Sequence, residues 1–415
     1  MSDGAPKRLL HPETLAIRTQ APRTPEREHS VPLFLTSSFT FDSAEQARAL
    51  FMDEIPGNIY SRYSNPNTDE FVRKIAQLEG AEDGLAFASG MAAVFASLAA
   101  LLRAGDHVIA SRALFGSTHQ LLTQLLPRWG ITATYVDPAA PAEAWEAAVT
   151  PTTKLVFVET PSNPGLDLVD LEWLGGFCRA RGLTFVVDNC FTTPILQQPV
   201  RFGADLVVHS ATKFIDGQGR TLGGVAVGSA RLIAELRWFA RHTGPALAPF
   251  NAWVLSKSVE TLALRMERHC ANALALATHF DGHAELESVR YPFLPSHPQH
   301  DLARRQMSAG GGIVVLVVQG GLERARRFLD ALQLLTHSPN LGDTRTIVTH
   351  PTSTTHSKLS EAERQALSIV PGLVRISVGL EHVDDVIADI EQALAASAAP
   401  ALRESRVEAR IEVGA

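Results

Sequence analysis

From Gly84 onward the chain alternates short apolar runs with stretches of helical period. Residues 85–88, 107–110, 133–136, 155–158, 184–187, 205–208 and 224–227 are four-residue segments rich in Val, Ile, Leu and Ala, and read as buried strands. Between them, residues 91–103, 120–128, 143–149 and 171–181 repeat their apolar positions at helical spacing, as do residues 71–78 just before. Strands that alternate with helices predict parallel strands joined by helical crossovers, an α/β doubly wound and mostly parallel sheet. Beyond Thr261 the rhythm changes: a long helix over 262–279, a strand over 312–318, a helix over 322–335, a strand over 373–378 and a helix over 383–395 predict a smaller α+β unit. The expected organisation is an arm at 1–64 that packs on a neighbouring subunit, a large domain at 65–262, a small domain at 263–396 and a mobile tail at 397–415.

Composition narrows the function classes. The chain has 415 residues, 45% hydrophobic and 20% charged, enough for two cores. Its formal charge of −7 argues against nucleic acid or an anionic membrane as main partner. Three cysteines, Cys178, Cys190 and Cys270, make no disulfide framework or paired metal motif, which suits a reducing cytoplasm. The fifteen histidines show no HExxH spacing, so no metal site is expected. The first residues lack a signal-peptide pattern, and no apolar span is long enough to cross a bilayer.

The chemistry centres on His209-Ser210-Ala211-Thr212-Lys213, which follows the apolar run at 205–208. Burial at a strand end lowers the pKa of a lysine amine and makes it a nucleophile or base. Ser210 and Thr212, two apart, would point to one side of an extended backbone as phosphate donors. A lysine able to form a Schiff base beside a phosphate cradle suggests pyridoxal phosphate; a strand-end lysine reaching solvent is the plainer alternative. His209 reads as a packed or turn-bonded histidine rather than a base.

Other candidates also sit at strand ends. Ser89-Gly90-Met91 opens a helix, where free N–H groups and a side chain of one hydrogen would admit an anion. Asp188 ends a strand and could face a protonated pyridine nitrogen, or cap a turn with Asn189. Tyr60 and Arg62, two apart in the arm, could together hold a phosphate in a neighbouring subunit. Phe115 could cover a cofactor face or pack in the core. Asn163 could donate to a phenolate oxygen or form a turn before Pro164. Arg375, on an apolar strand, needs an anion: a substrate carboxylate or an internal partner.

Taken together and in order, Tyr60-Ser-Arg62-Tyr-Ser-Asn-Pro, Ser89-Gly90-Met91, Glu159-Thr-Pro-Ser-Asn163-Pro, Asp188-Asn, Ser210-Ala-Thr212-Lys213 and Arg375-Ile-Ser-Val-Gly-Leu-Glu closely resemble the Cys/Met-metabolism family of pyridoxal-phosphate enzymes. The resemblance runs from about residue 10 to 396. It implies the fold-type I, aminotransferase-like architecture and a cytoplasmic homotetramer built from two dimers, with sites between subunits. It also implies that Lys213 holds the cofactor, Asp188 pairs with its ring nitrogen, and Asn163 lies near its phenolic oxygen. Gly90, Met91, Ser210 and Thr212 would hold the phosphate with Tyr60 and Arg62 of another subunit. Ser89 and Phe115 would complete the cofactor pocket, and Arg375 would hold the substrate carboxylate.

Departures from the family pattern narrow the reaction. Phe115 stands where many members have tyrosine, and Gly116 where methionine γ-lyases have cysteine. Asn340-Leu-Gly-Asp-Thr-Arg345-Thr346 puts arginine where many members have glutamate. With residues 114–117 and 249–253 it resembles the O-succinylhomoserine sulfhydrylase branch. The resemblance then implies sulfide replacing succinate at Cγ to give homocysteine, with Arg345 and Thr346 on the substrate. O-acetylhomoserine sulfhydrylase, cystathionine γ-synthase, methionine or cystathionine γ-lyase and a non-catalytic scaffold are the rival expectations.

Overall fold

The computed structural model describes residues 10–354, 357, 361, 364 and 367–398; the tail expected to be mobile lies outside them from 399 on. Seven strands form the larger sheet: β1 (Asp83–Phe87), β2 (His107–Ser111), β3 (Thr132–Val136), β4 (Thr153–Glu159), β5 (Thr184–Asp188), β6 (Leu206–Ser210) and β7 (Gly224–Gly228). Their order is β1-β7-β6-β5-β4-β2-β3. The run from β3 to β6 is parallel, whereas β7 is antiparallel to both of its neighbours. Leu155 to Val158, Phe185 to Val187 and Leu206 to Val208 are all buried, as expected of strands covered on both faces. One face packs against helices Pro66–Glu79, Leu171–Arg181 and Pro249–Val259; the other packs against Gly90–Ala99 and Ala230–Thr243.

The helix Leu171–Arg181 is written plainly in sequence. Asp170 caps its start by accepting from the Trp173 N–H at 3.0 Å, and Arg179 and Arg181 complement its carboxyl end. Gly182 then takes φ of 65°, a conformation costly for other residues, and ends it.

A five-stranded sheet follows, in the order β10-β11-β12-β9-β8. Its strands are β8 (Leu286–Arg290), β9 (Ile313–Val318), β10 (Thr336–His337), β11 (Ile347–Thr349) and β12 (Leu373–Ser377). Helices Leu262–Phe280, Gly321–Ala331 and Val383–Ala398 give it a second core.

Two expected helices change. The stretch at 120–128 divides into a π-turn over Leu121–Leu125 and a 3-10 turn over Leu126–Trp129, where Pro127 has no N–H to continue an α-helix. The helix expected to reach 335 stops at Ala331. There the Asp389 carboxylate accepts from the backbone N–H groups of Gln333, Leu334 and Leu335 and draws the chain out of helix.

Candidate active site

The carboxyl ends of β4, β5 and β6 lie side by side and deliver Glu159, Asp188 and Ser210 to one edge of the sheet, where ligands collect in folds of this class. Glu159 and Asp188 are direct register partners. Asp188 keeps a partly accessible edge, and its Oδ1 accepts from the Cys190 N–H at 3.1 Å. Burial pushes its carboxyl up from 3.8 to about 6, opposed by the Cys190 N–H and by nearby His209. Burial also raises Glu159 well above the usual range, and the neighbouring Asp188 adds to that. A Glu159 oxygen accepts from the Phe115 N–H at 2.7 Å, which ties the backbone of the exposed Phe115 to the end of β4.

Beyond β6 the chain coils into tight turns, and Lys213 lies in them. Ser210 and Thr212 are therefore not on one extended strand as expected. The Thr212 hydroxyl is engaged with the backbone N–H of Gly223 at 3.1 Å. Burial lowers the pKa of the Lys213 amine and the Arg375 charge lowers it further; Cys190 opposes both. Its Nζ donates to Oδ1 of Asn340 at 2.6 Å, so a loop of the second sheet meets the lysine.

Gly90 opens the helix after β1 directly against β6. A Cβ there would sit 2.6 Å from Ser210 Cβ, so no larger residue fits. Ser89 caps that helix by accepting from the Ala92 N–H at 3.1 Å, leaving the N–H groups of Gly90 and Met91 free of the helical ladder. This is an anion cradle touching the lysine turn.

Arg375 is buried on β12. Nη1 donates to Oδ1 of Asn163 at 3.0 Å, and Nη2 donates to the carbonyls of Pro339 and Asn340 at 3.1 and 3.0 Å. Its Nε is buried with no partner, and no carboxylate pairs with it among the described residues. Burial pulls its pKa down to about 10.

The remaining expected residues lie apart from this cluster. Tyr60 pairs with Ser38 and the chain turns at 61–63, so Tyr60 and Arg62 are not on an extended segment. Arg62 instead stacks over Tyr60 and Tyr63, at 5.4 and 4.8 Å from the ring centroids. Thr346 is buried and committed to the segment that follows β12: its hydroxyl donates to Glu381 at 2.8 Å and accepts from the Gly379 N–H at 2.9 Å. Arg345 is exposed and held by Asp343 at 2.9 Å, with a further bond to the Gln218 carbonyl at 3.2 Å. Glu159, Asn340 and Cys190 line the site without having been singled out individually, because only the fold brings them to Lys213 and Asp188.

A family model described as Cys/Met metabolism PLP-dependent enzyme matches residues 13–395. This chain belongs to that family. As a member, it is a pyridoxal-phosphate-dependent enzyme of the fold-type I architecture. It is 50% identical over 384 residues to the O-succinylhomoserine sulfhydrylase of Pseudomonas aeruginosa, covering 92% of this chain and 95% of that one. It is 44% identical over 369 residues to the L-methionine gamma-lyase of Pseudomonas putida, covering 88% and 92%. A solved Campylobacter jejuni structure that contains N'-pyridoxyl-lysine-5'-monophosphate superposes with a TM-score of 0.89 at 34% identity, covering 93% of this chain and 100% of that one.

The residues present fit the cofactor of the family. A turn lysine of lowered pKa would suit an aldehyde, and a carboxyl at the end of a buried strand would suit a ring nitrogen. A helix start that excludes side chains would suit a phosphate.

Proposed function

We propose that this enzyme replaces the succinyl group of O-succinylhomoserine with sulfide, releasing homocysteine and succinate. The observation that carries the reading is the buried Arg375 guanidinium with its unpartnered Nε beside Lys213's loop, in a chain half identical to an O-succinylhomoserine sulfhydrylase. A buried cation without an acidic partner suits a carboxylate brought by the substrate.

Lys213 would hold pyridoxal phosphate, and Asp188 would pair with its ring nitrogen. Bound there, the cofactor supplies an aldehyde for amines and a protonated ring that absorbs negative charge from Cα. Gly90, Met91 and Ser210 hold the phosphate, with Ser89 capping the helix and Thr212 fixing the turn. Asn163 orients Arg375 and would serve the phenolic oxygen, and Phe115 would cover the ring. Lys213 Nζ moves protons at Cα and then Cβ, which its lowered pKa favours. The Cγ–O bond breaks with its electron pair leaving on succinate, and sulfide forms the Cγ–S bond. The exposed Arg345, paired with Asp343, would meet the second carboxylate of the succinyl group.

This reading puts the boundary between a large and a small domain at 262/263, and the two separate sheets support a division into two units. The same reading makes the enzyme a cytoplasmic homotetramer of two dimers. The exposed Tyr60 and the arm around it support a role in a neighbouring subunit's phosphate site. The 44% identity to an L-methionine gamma-lyase favours γ-elimination as the second reading. Purified enzyme offered O-succinylhomoserine, O-acetylhomoserine or methionine, with and without sulfide, separates them. Homocysteine and succinate in equal amounts, only with sulfide, support replacement; 2-oxobutyrate formed without sulfide supports elimination.

A further inference from the structure

A directional chain of hydrogen bonds ends beneath the site. The Leu171 N–H can only donate, and it donates to Oε1 of Gln306 at 3.3 Å. That orients Gln306, whose Nε2 donates to Oε1 of Gln197 at 3.2 Å. Gln197 Nε2 donates to Oδ1 of Asn189 at 2.9 Å and to the Thr160 carbonyl at 3.0 Å. Asn189 Nδ2 then donates to Oε1 of Glu79 and to the Gln197 carbonyl, both at 2.9 Å. Carbonyl oxygens only accept, so the two backbone contacts fix the same amide orientations independently of Leu171.

Glu79 is the terminus of that chain. The same Oε1 lies 2.7 Å from Nε2 of His209. Glu79, Asn189 and His209 are all buried, and Nδ1 of His209 has no partner. Nε2 is the ring nitrogen of His209 that has a partner, so it is the one that points a proton at the Glu79 oxygen.

Asn189 follows Asp188 at the end of β5, and His209 precedes Ser210 at the end of β6. One carboxylate oxygen thus grips the residues next to the ring-nitrogen contact and next to the phosphate contact. We infer that Glu79 is a positioning residue that sets the spacing between Asp188 and Ser210, so that both ends of one cofactor molecule are held at once. The inference rests on the reading of Asp188 and Ser210 given above.

Glu79 touches neither end of the cofactor, so its loss should act on the joint fit rather than on either contact alone. Binding of pyridoxal phosphate, pyridoxal and inorganic phosphate to the apoenzyme is measured separately for wild type, Glu79→Ala and Glu79→Gln. Glu79→Ala should weaken pyridoxal phosphate about tenfold while pyridoxal and phosphate each change by less than about twofold. Glu79→Gln, which keeps an accepting oxygen, should recover most of that loss. A folded Glu79→Ala enzyme with unchanged pyridoxal phosphate affinity overturns the inference, as does an equal loss for pyridoxal alone. Should neither variant fold, 15N resonances of wild-type His209 serve instead: a proton on Nε2 supports the clamp and a bare Nε2 contradicts it. If wild-type apoenzyme takes up no pyridoxal phosphate, it is the parent reading that falls.

Discussion

Lys213 and Asn340 meet across a 2.6 Å hydrogen bond, although one follows a strand of the larger sheet and the other belongs to a loop of the smaller. The Asn340 carbonyl accepts in turn from Arg375. The proposed proton-moving amine and the proposed carboxylate-binding guanidinium therefore share one residue, and the loop sets their relative placement.

That arrangement separates two kinds of loss. Lys213→Ala should lower turnover about a thousandfold or more, because the turn loses the buried amine proposed to hold the cofactor and move protons. Asn340→Ala should lower kcat about tenfold with the cofactor still bound. Homocysteine release and cofactor absorbance, measured on both variants, check the pair.

Arg375→Lys should raise KM for O-succinylhomoserine by roughly 10- to 100-fold, with a smaller fall in kcat. Lysine keeps the charge but loses the planar, two-pronged donor geometry and the bond to Asn163. Steady-state kinetics at saturating sulfide measure it.

The Asp188 carboxyl, raised by burial to about 6, should make cofactor binding pH-dependent. Below that pH the carboxyl takes a proton and no longer offers a negative charge to the ring nitrogen, so affinity falls as pH falls. Pyridoxal, which carries no titrating phosphate, isolates the effect in a fluorescence titration of the apoenzyme. Asp188→Asn should flatten the profile and weaken binding on the alkaline side.

How much of this could be read from the chain varies by residue. Helix Leu171–Arg181 was legible to the residue, because Asp170, its basic last turn and Gly182 are local signals. The end of Gly321–Ala331 was not, because Asp389, which terminates it, lies far along the sequence. The helices Ala230–Thr243 and Pro249–Val259 went unmarked between two clearer patterns. In the site, strand-end residues such as Asp188 stood out as polar groups closing apolar runs. Asn340, Glu79 and Glu159 did not, since their significance comes from partners that only the fold supplies. Thr346 illustrates the reverse: it lies in a suggestive segment, but its hydroxyl is spent on Glu381 and Gly379.

Arg345 provides a test of acyl choice. Its guanidinium is exposed and paired with Asp343 at 2.9 Å. Arg345→Ala should cut kcat/KM for O-succinylhomoserine about tenfold and leave O-acetylhomoserine within about twofold, because only the former carries a second carboxylate. Equal losses on both esters would remove Arg345 from substrate selection.

The central claim is that pyridoxal phosphate is joined to the amine at position 213. Borohydride reduction of the holoenzyme, followed by proteolysis and mass spectrometry, tests it most directly. A pyridoxyl-phosphate adduct is expected on the peptide that contains Lys213 and on no other lysine peptide. An adduct elsewhere, or an unmodified Lys213 in enzyme that has bound the cofactor, would contradict it.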